Sequence, residues 1–186
     1  MPEEIECKIM GMNSSEFINM AQKKGANIKT SSKPMTVKDT YWDLPDVNLI
    51  RHRHITYWDD SVLQDVTIKG YEINAKSNII SKREENILNV QASDDVGVFL
   101  SALGAKEKYI VVKQRTYLTV YGINQLNQQA EPYSAIRVQH DKIANSDFEW
   151  IEIEADTEKS LIEFIKALGI KETTNKSTLD ILGIDK

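Results

Sequence analysis

The sequence of 186 residues has a single cysteine, Cys7, together with only eight glycines and four prolines. One cysteine cannot form a disulfide within the chain, which favours a reducing compartment. No apolar run approaches the roughly 20 residues of a membrane span, and the opening Met-Pro-Glu-Glu lacks the basic and apolar segments of a signal peptide. We therefore expect a cytoplasmic protein that does not contact a membrane.

The chain also lacks an excess of basic residues and lacks the glycine-rich loops that bind nucleotides. Its net charge is −5 and its isoelectric point is near 5.3, which argues against an extended nucleic-acid surface. Overall acidity does not exclude a small phosphorylated ligand. The length and the hydrophobic fraction of 41% fit one globular domain over residues 1–186.

Alternating apolar and polar residues predict a mainly antiparallel β protein with a few helices. Caps and periodicity predict helices from Ser14 or Ser15 to about Lys24, from Ser93 to Gly104, from Glu158 to Leu168, and near Leu179. The eight predicted strands span residues 3–10, 36–43, 48–57, 62–70, 78–89, 108–121, 134–142 and 147–156. Short strands joined by turns favour an antiparallel sheet or a barrel over a parallel fold.

Charged residues recur at every second position in these strands, so each set lies on one face of its strand. The opposite face is apolar, as with Ile5, Cys7 and Ile9. One interpretation is an ordinary solvated face with cross-strand salt bridges. The other is a closed sheet whose charges converge on one interior. Counted in phase, the set has a surplus of three positive charges, with eight cations and five anions: Lys8, Arg51, Arg53, Lys69, Arg83, Lys113, Arg115 and Arg137 against Glu4, Glu6, Glu85, Glu152 and Glu154.

The chemistry of these residues suits a polyphosphate. The pairs Glu4/Glu6 and Glu152/Glu154 could supply oxygen ligands for Mg²⁺ or Mn²⁺. Arginine binds phosphate oxygens with two N–H groups, and lysine adds a point charge. A triphosphate-containing small molecule is therefore the expected partner, and whether the chain forms a homodimer is left open.

The motif Glu4-x-Glu6-x-Lys8 resembles the N-terminal E-x-E-x-K motif of the CYTH, or triphosphate tunnel metalloenzyme, superfamily. The likeness continues through nearly the whole chain, in the segments 39–46, 49–53, 67–70, 83–85, 112–115, 147–154 and 176–177. This resemblance implies an α+β, mainly antiparallel fold: an eight-stranded closed β-barrel that forms a triphosphate tunnel, with helices packed outside. It also implies one or two divalent cations beside the bound triphosphate.

The resemblance also implies roles for individual residues. Metal ligands would be Glu4, Glu6, Glu152 and Glu154, with Glu85 as a further one. Phosphate would be held by Lys8, Arg51, Arg53, Lys69, Arg83, Lys113, Arg115, Arg137 and Lys176. The residues expected to carry catalysis are Glu4, Glu6, Lys8, Lys69 and Arg53, and Asp141 matches an acidic position of the superfamily.

The sequence departs from the superfamily pattern at three places, one of which is the stretch Asn145-Ser146-Asp147, where the usual glycine is missing. Ile87 stands where many relatives have another acid, and Ser177-Thr178 replaces a final Ser-Tyr, which puts in question how the tunnel mouth closes. Three other side chains, those of His52, His54 and Trp150, are predicted to point away from the charged face.

The leading hypothesis is metal-dependent hydrolysis of inorganic triphosphate, thiamine triphosphate or a nucleoside triphosphate. The alternatives are conversion of ATP to cAMP and pyrophosphate, as in class IV adenylyl cyclases, and a polyphosphate-binding module without turnover. Processing of RNA 5′-triphosphate ends is a further possibility.

Overall fold

The computed structural model describes residues 3–30, 32–72, 81–123 and 136–184. The nine strands are β1 (Glu3–Met10), β2 (Ala26–Thr30), β3 (Met35–Leu44), β4 (Val47–Thr56), β5 (Val62–Glu72), β6 (Ser81–Val90), β7 (Lys106–Ile123), β8 (Ile136–Ile143) and β9 (Glu149–Ala155). The helices are α1 (Ser14–Lys23), α2 (Val96–Ala102), α3 (Glu158–Leu168) and α4 (Thr178–Ile181). The first residues of two predicted strands, 78–80 and 134–135, lie outside the described residues.

All nine strands form one antiparallel sheet in the order β2-β7-β3-β4-β5-β6-β1-β9-β8, with a further pairing between β7 and β8. The predicted eight-stranded closed β-barrel is wrong. Among the described residues the sheet has nine strands, and β2 is its edge strand, which pairs there with β7 alone. Sequence periodicity missed β2 because its five residues contain only two apolar side chains, Ala26 and Ile28, both buried.

The apolar face of the sheet carries the main core. Side chains of β1, β8 and β9 pack there with α1 and α3, including Ile153, Phe17 and Phe164, which are fully buried. Cys7 belongs to this core, and burial raises the pKa of its thiol to about 12. This cysteine therefore packs as a small apolar residue and is not a nucleophile.

Two helices show how the sequence sets their ends. Helix α1 is capped by Asn13, and not by Ser14 or Ser15 as predicted, because the Asn13 side chain accepts from the Glu16 backbone N–H while the Glu16 carboxylate accepts from the Asn13 N–H. Helix α3 ends at Gly169, whose φ of 68° lies in the left-handed region that glycine adopts readily. Among the described residues, no helix has the length and apolar content needed to cross a membrane.

Candidate functional site

The alternating charged residues lie on the face of the sheet opposite the main core. They line two adjoining cavities, a small one of about 40 Å³ and a wide one of about 620 Å³. Residues that line both cavities come from β1, β4, β7 and β9, namely Glu4, Arg51, Arg53, Arg115 and Glu154. The sheet therefore brings together charges from both ends of the chain, as the sequence predicted.

Three glutamates form what we call the acidic cluster: Glu4, Glu6 and Glu154. One carboxylate oxygen of each lies within 4.8 Å of the other two. The strands explain this geometry, because β1 pairs with β9 so that Glu6 lies opposite Glu154. Burial, and then repulsion from Glu152, raises the pKa of Glu6, and the same two causes raise the pKa of Glu154. For Glu6 and Glu154, burial and the neighbouring carboxylates therefore outweigh the nearby cations.

Two lysines lie beside this cluster. Lys8 Nζ is 2.6 Å from Glu6 Oε1 and 3.1 Å from Glu152 Oε2, and the lysine is almost completely buried. Burial disfavours its charge, but the attraction of Glu152 and Glu6 outweighs burial and raises the pKa of Lys8. Lys69 Nζ is 3.2 Å from Glu4 Oε2 and also contacts Glu85 Oε1. Lys8 therefore stays charged next to carboxylates, and Lys69 lies at ion-pair distance from Glu4 and Glu85.

The pKa values of Glu152 and Glu85 are shifted in the opposite direction from those of Glu6 and Glu154. Burial opposes ionisation of Glu152, but Lys8 and Arg115 overcome it and hold the pKa well below its usual range. Gln139 also donates a hydrogen bond to Glu152. In Glu85, Lys69 and then Arg51 lower the pKa against the effect of burial. These two glutamates are ionised and already paired.

On the far side of the cavity, cations are held by aspartates. Arg53 donates from Nε and Nη2 to the two carboxylate oxygens of Asp39 over 2.6 and 2.8 Å. Asp39 is fully buried, and Arg53 lowers its pKa strongly although burial acts in the opposite direction. The two parallel hydrogen bonds hold the guanidinium in one orientation, which is the bidentate geometry in which arginine binds a planar anion.

Asp141 anchors two further cations. It accepts from Lys113 Nζ at 2.6 Å and from Arg115 Nε and Nη2 at 2.7 Å each. Arg115 and then Lys113 hold the pKa of Asp141 below its usual range although burial opposes this. We refer to Arg53, Lys113 and Arg115, which Asp39 and Asp141 hold in place, as the aspartate-anchored cations.

Arg51 is the least engaged of the arginines that line both cavities. Its Nη2 donates to Thr67 Oγ1 over 2.9 Å and lies 4.0 Å from Asp65 Oδ1. Its Nε is buried without a hydrogen-bond partner among the described residues. A buried N–H donor beside a cavity has capacity for an anionic ligand.

The positive surplus counted from the sequence does not hold in the structure. Asp39, Asp65 and Asp141 also belong to the charged face, and the sequence count left them out. Among the side chains that the structure describes on this face, eight carboxylates now stand against seven cations: Glu4, Glu6, Asp39, Asp65, Glu85, Asp141, Glu152 and Glu154 against Lys8, Arg51, Arg53, Lys69, Lys113, Arg115 and Arg137. All three aspartates lie within strands, in β3, β5 and β8, so a count of every in-phase charge would have included them.

Three residues predicted to bind phosphate lie elsewhere or are only partly placed. The Arg137 side chain is 56% exposed at the rim of the wide cavity, where it pairs with Glu154 and Asp156. Lys176 is exposed and lines neither of the two cavities. The backbone of Arg83 pairs with Glu4, but its side chain lies outside the described part of the structure.

The small cavity ends at an apolar cluster. Trp150, Tyr41 and Leu179 are buried there together, and Leu179 belongs to α4. The prediction that Trp150 points away from the charged face is wrong, because residues 150, 152 and 154 are in phase on β9, and the Trp150 ring lies 5.9 Å from Lys113 Nζ. Leu179 therefore lies at the end of the site whose closure was put in question by the replacement of Ser-Tyr with Ser177-Thr178.

His52 and His54 lie on the opposite face, as predicted, and line a separate cavity together with Trp42. His52 Nε2 is 2.7 Å from Gln64 Oε1. These histidines take no part in the charged site.

No protein-family model matches the chain, and no curated protein matches it either. Several solved structures share its fold over nearly their full length. PH1012 of Pyrococcus horikoshii OT3 aligns with a TM-score of 0.69 at 19% identity, covering 98% of this chain and 99% of that one. PH1819 of the same organism aligns with a TM-score of 0.66 at 21% identity, covering 96% and 97%.

A proposed adenylate cyclase from Vibrio parahaemolyticus also aligns, with a TM-score of 0.66 at 15% identity, covering 97% of both chains. At these identities the comparisons show that the fold is shared.

Proposed function

We propose that the protein is a divalent-metal-dependent enzyme that hydrolyses a triphosphate bound in this cavity. The observation that carries the proposal is the position of the acidic cluster directly beside buried cations, in one cavity. Clustered carboxylates attract a metal ion, and buried cations attract the phosphates that the metal neutralises.

The residues of the acidic cluster fit such a metal. Glu4, Glu6 and Glu154 offer only oxygen ligands, which Mg²⁺ and Mn²⁺ prefer. Glu85 and Glu152, also predicted as ligands, are engaged by Lys69 and Lys8 and would act mainly by orienting those lysines. When bound, the metal would neutralise phosphate charge and help to activate water.

The cations of the chain would bind and orient the phosphate chain. Arg51 would donate its unpartnered Nε, while Arg53 and Arg115 would present the N–H groups that their aspartates do not engage. Because Asp39 and Asp141 already fix Arg53 and Arg115, little side-chain entropy remains to be lost on binding. Such preorganised donors stabilise the charge that develops on the phosphoryl oxygens and the leaving group.

Release of phosphate from tripolyphosphate, thiamine triphosphate and ATP, each with Mg²⁺ or Mn²⁺, tests the proposal. We expect metal-dependent release that falls strongly in Glu4→Gln and Glu6→Gln. Absence of release with every substrate and both metals, or release unaffected by these substitutions, would refute it.

A second candidate is conversion of ATP to cAMP, which the proposed activity of the Vibrio protein supports. The same cations would hold the triphosphate, but the ribose 3′-oxygen would attack the α-phosphorus and pyrophosphate would leave. Chromatography of the products separates the two reactions, because cyclisation yields cAMP and pyrophosphate whereas hydrolysis yields orthophosphate and a diphosphate.

A further inference from the structure

Strand β8 presents three polar side chains of different charge to the charged face: Arg137, Gln139 and Asp141. Arg137 pairs with Glu154 at the exposed rim, and Asp141 binds two of the buried cations. Gln139 lies between these two residues and is only 5% exposed, although it lines the wide cavity. An uncharged side chain is therefore buried among carboxylates and cations.

The amide of Gln139 contacts two carboxylates at once. Its Nε2 donates to Glu152 Oε1, and it donates to Glu154 Oε1 over 3.3 Å. Strand pairing explains both contacts, because Gln139 lies directly opposite Glu152 on β9 and Glu154 follows two residues later on the same face. An ionised carboxylate can only accept hydrogen bonds, whereas an amide nitrogen carries two N–H donors. One glutamine can therefore hold both glutamates.

These two glutamates belong to different parts of the site. Glu152 Oε2 lies 3.1 Å from Lys8 Nζ, so this carboxylate already has a cation. Glu154 belongs to the acidic cluster, in which one carboxylate oxygen of each member lies within 4.8 Å of the other two. Gln139 thus connects a paired carboxylate, which is fixed by Lys8, to a carboxylate of the acidic cluster.

The lack of charge on Gln139 suits such a connection. A lysine or arginine at this position would neutralise the acidic cluster from within the chain and compete with a bound cation, and another carboxylate would add repulsion. An amide orients the two carboxylates and leaves their charge for the cation. Side chains that orient metal ligands by hydrogen bonds commonly affect metal affinity or activity by about 10- to 100-fold.

We propose that Gln139 is a positioning residue, which fixes the Glu154 carboxylate within the acidic cluster so that the cluster binds a divalent cation. Gln139 acts through Glu154 and does not itself contact the substrate. This inference rests on the proposed function, because it assumes that the acidic cluster holds the metal.

Calorimetric titration of Mn²⁺ into the protein without substrate tests the inference with wild type and Gln139→Met. Methionine has a similar length and volume but no N–H donor. We expect the dissociation constant of Mn²⁺ to rise by about tenfold. Gln114→Met is the matched control, because Gln114 is exposed on the opposite face of the neighbouring strand β7, where its amide donates to Thr36 Oγ1 over 2.9 Å. This control should bind Mn²⁺ as the wild type does.

The dependence of phosphate release on Mn²⁺ concentration separates positioning from a merely structural role. If Gln139 only positions a metal ligand, saturating Mn²⁺ should bring kcat of Gln139→Met back close to the wild-type value. A defect of packing would lower kcat at every Mn²⁺ concentration. Gln139→Asn keeps the amide but loses its reach, so it should weaken Mn²⁺ binding less than Gln139→Met does, and it replaces that variant as the test if Gln139→Met does not fold.

The outcomes distinguish this inference from the proposed function. Mn²⁺ affinity that is unchanged in the Gln139 variants, or a loss of kcat that Mn²⁺ does not restore, overturns the inference, while metal-dependent phosphate release by the wild type leaves the proposed function standing. Weaker Mn²⁺ binding in the variants supports the inference even if the wild type hydrolyses no triphosphate, in which case the proposed function fails alone. A wild type that does not bind Mn²⁺ overturns both.

Discussion

The acidic cluster and the aspartate-anchored cations line the same cavity, yet their charges are balanced in opposite ways. Asp39 and Asp141 each face buried cations at hydrogen-bond distance, which lowers the pKa of both. Glu6 also contacts Lys8 and Glu154 contacts Arg137, but burial and repulsion from Glu152 outweigh these cations and raise the pKa of both glutamates. One half of the site is complete within the chain, whereas the other half gains from an added cation.

Because of this difference, we expect the aspartate-anchored cations to contribute mainly to stability and the acidic cluster to contribute mainly to ligand binding. A buried ion pair that is already satisfied contributes to the fold only while both partners are present, and removing one partner leaves an uncompensated charge. A cluster of like charges costs stability until a cation joins it. Substitutions in the two halves should therefore have different consequences.

Asp141→Asn should have the largest effect on stability. It leaves Lys113 and Arg115 buried without their shared carboxylate, so we expect the free energy of unfolding to fall by about 3–5 kcal/mol. Urea denaturation followed by circular dichroism measures the loss. The control is Asp43→Asn, because the Asp43 side chain is 52% exposed and 3.5 Å from Lys108, and it should cost less than about 0.5 kcal/mol. Equal stability of the two variants would contradict the assignment of Asp141 as an anchor.

Glu154→Gln should reduce activity strongly while changing stability little. Removing a carboxylate from the acidic cluster should lower metal-dependent kcat by about 100-fold, since loss of metal charge costs several kcal/mol in the transition state. Stability without metal should change by less than about 0.5 kcal/mol, because the substitution relieves repulsion. The rise in melting temperature that Mn²⁺ gives to the wild type should shrink.

The control for this variant is Glu149→Gln. Glu149 lies on the opposite face of β9, and its Oε2 is 3.0 Å from His140 Nε2. It should keep both the activity and the response of the melting temperature to Mn²⁺. A Glu154→Gln protein that retains full activity, or that unfolds far more easily without metal, would remove the distinction between the two halves.

Acid should remove the stability that ionised Asp39 and Asp141 contribute to the fold. The pKa values of Asp39 and Asp141 in the folded protein lie below their ordinary value of 3.8. A lowered folded pKa gives stabilisation that is complete above the ordinary value and is lost as the pH falls from there toward the folded value. We expect the free energy of unfolding to drop below about pH 4, and Asp39→Asn to flatten that drop. An equally steep drop in the variant would show that other groups cause it.

The sequence predicted much of this site because strand periodicity places residues on faces. Glu4, Glu6 and Lys8 need only a period of two to share a face, and pairing of β1 with β9 then brings them to Glu152 and Glu154. The partners of the cations were not predictable in the same way, apart from the position of Asp141. Which carboxylate meets which guanidinium depends on strand register, as with Asp39 opposite Arg53.

The errors in the fold have equally local causes. Edge strand β2 has too few apolar residues to show a period, and its pairing with β7 is decided by tertiary contacts. Trp150 was assigned to the wrong face because its position was taken to be out of phase with Glu152 and Glu154, although residues 150, 152 and 154 share one face of β9. In this protein a second apolar cluster lies on the charged face itself.

Lys176 gives the smallest expected effect and sharpens the boundary of the site. The resemblance of the sequence predicts that it binds phosphate, but its side chain is exposed and lines neither cavity, whereas its neighbours Ser177 and Thr178 line the small one. An exposed lysine in solvent of high dielectric contributes little to the binding of an anion that it does not contact.

Lys176→Ala should therefore change kcat/KM for the preferred triphosphate by less than about threefold, with the loss decreasing as salt is added. Arg51→Ala, measured beside it, should cost far more at every salt concentration because Arg51 lines both cavities. A loss in Lys176→Ala that equals the loss in Arg51→Ala would mean that the segment before α4 moves Lys176 onto the phosphates when the substrate binds.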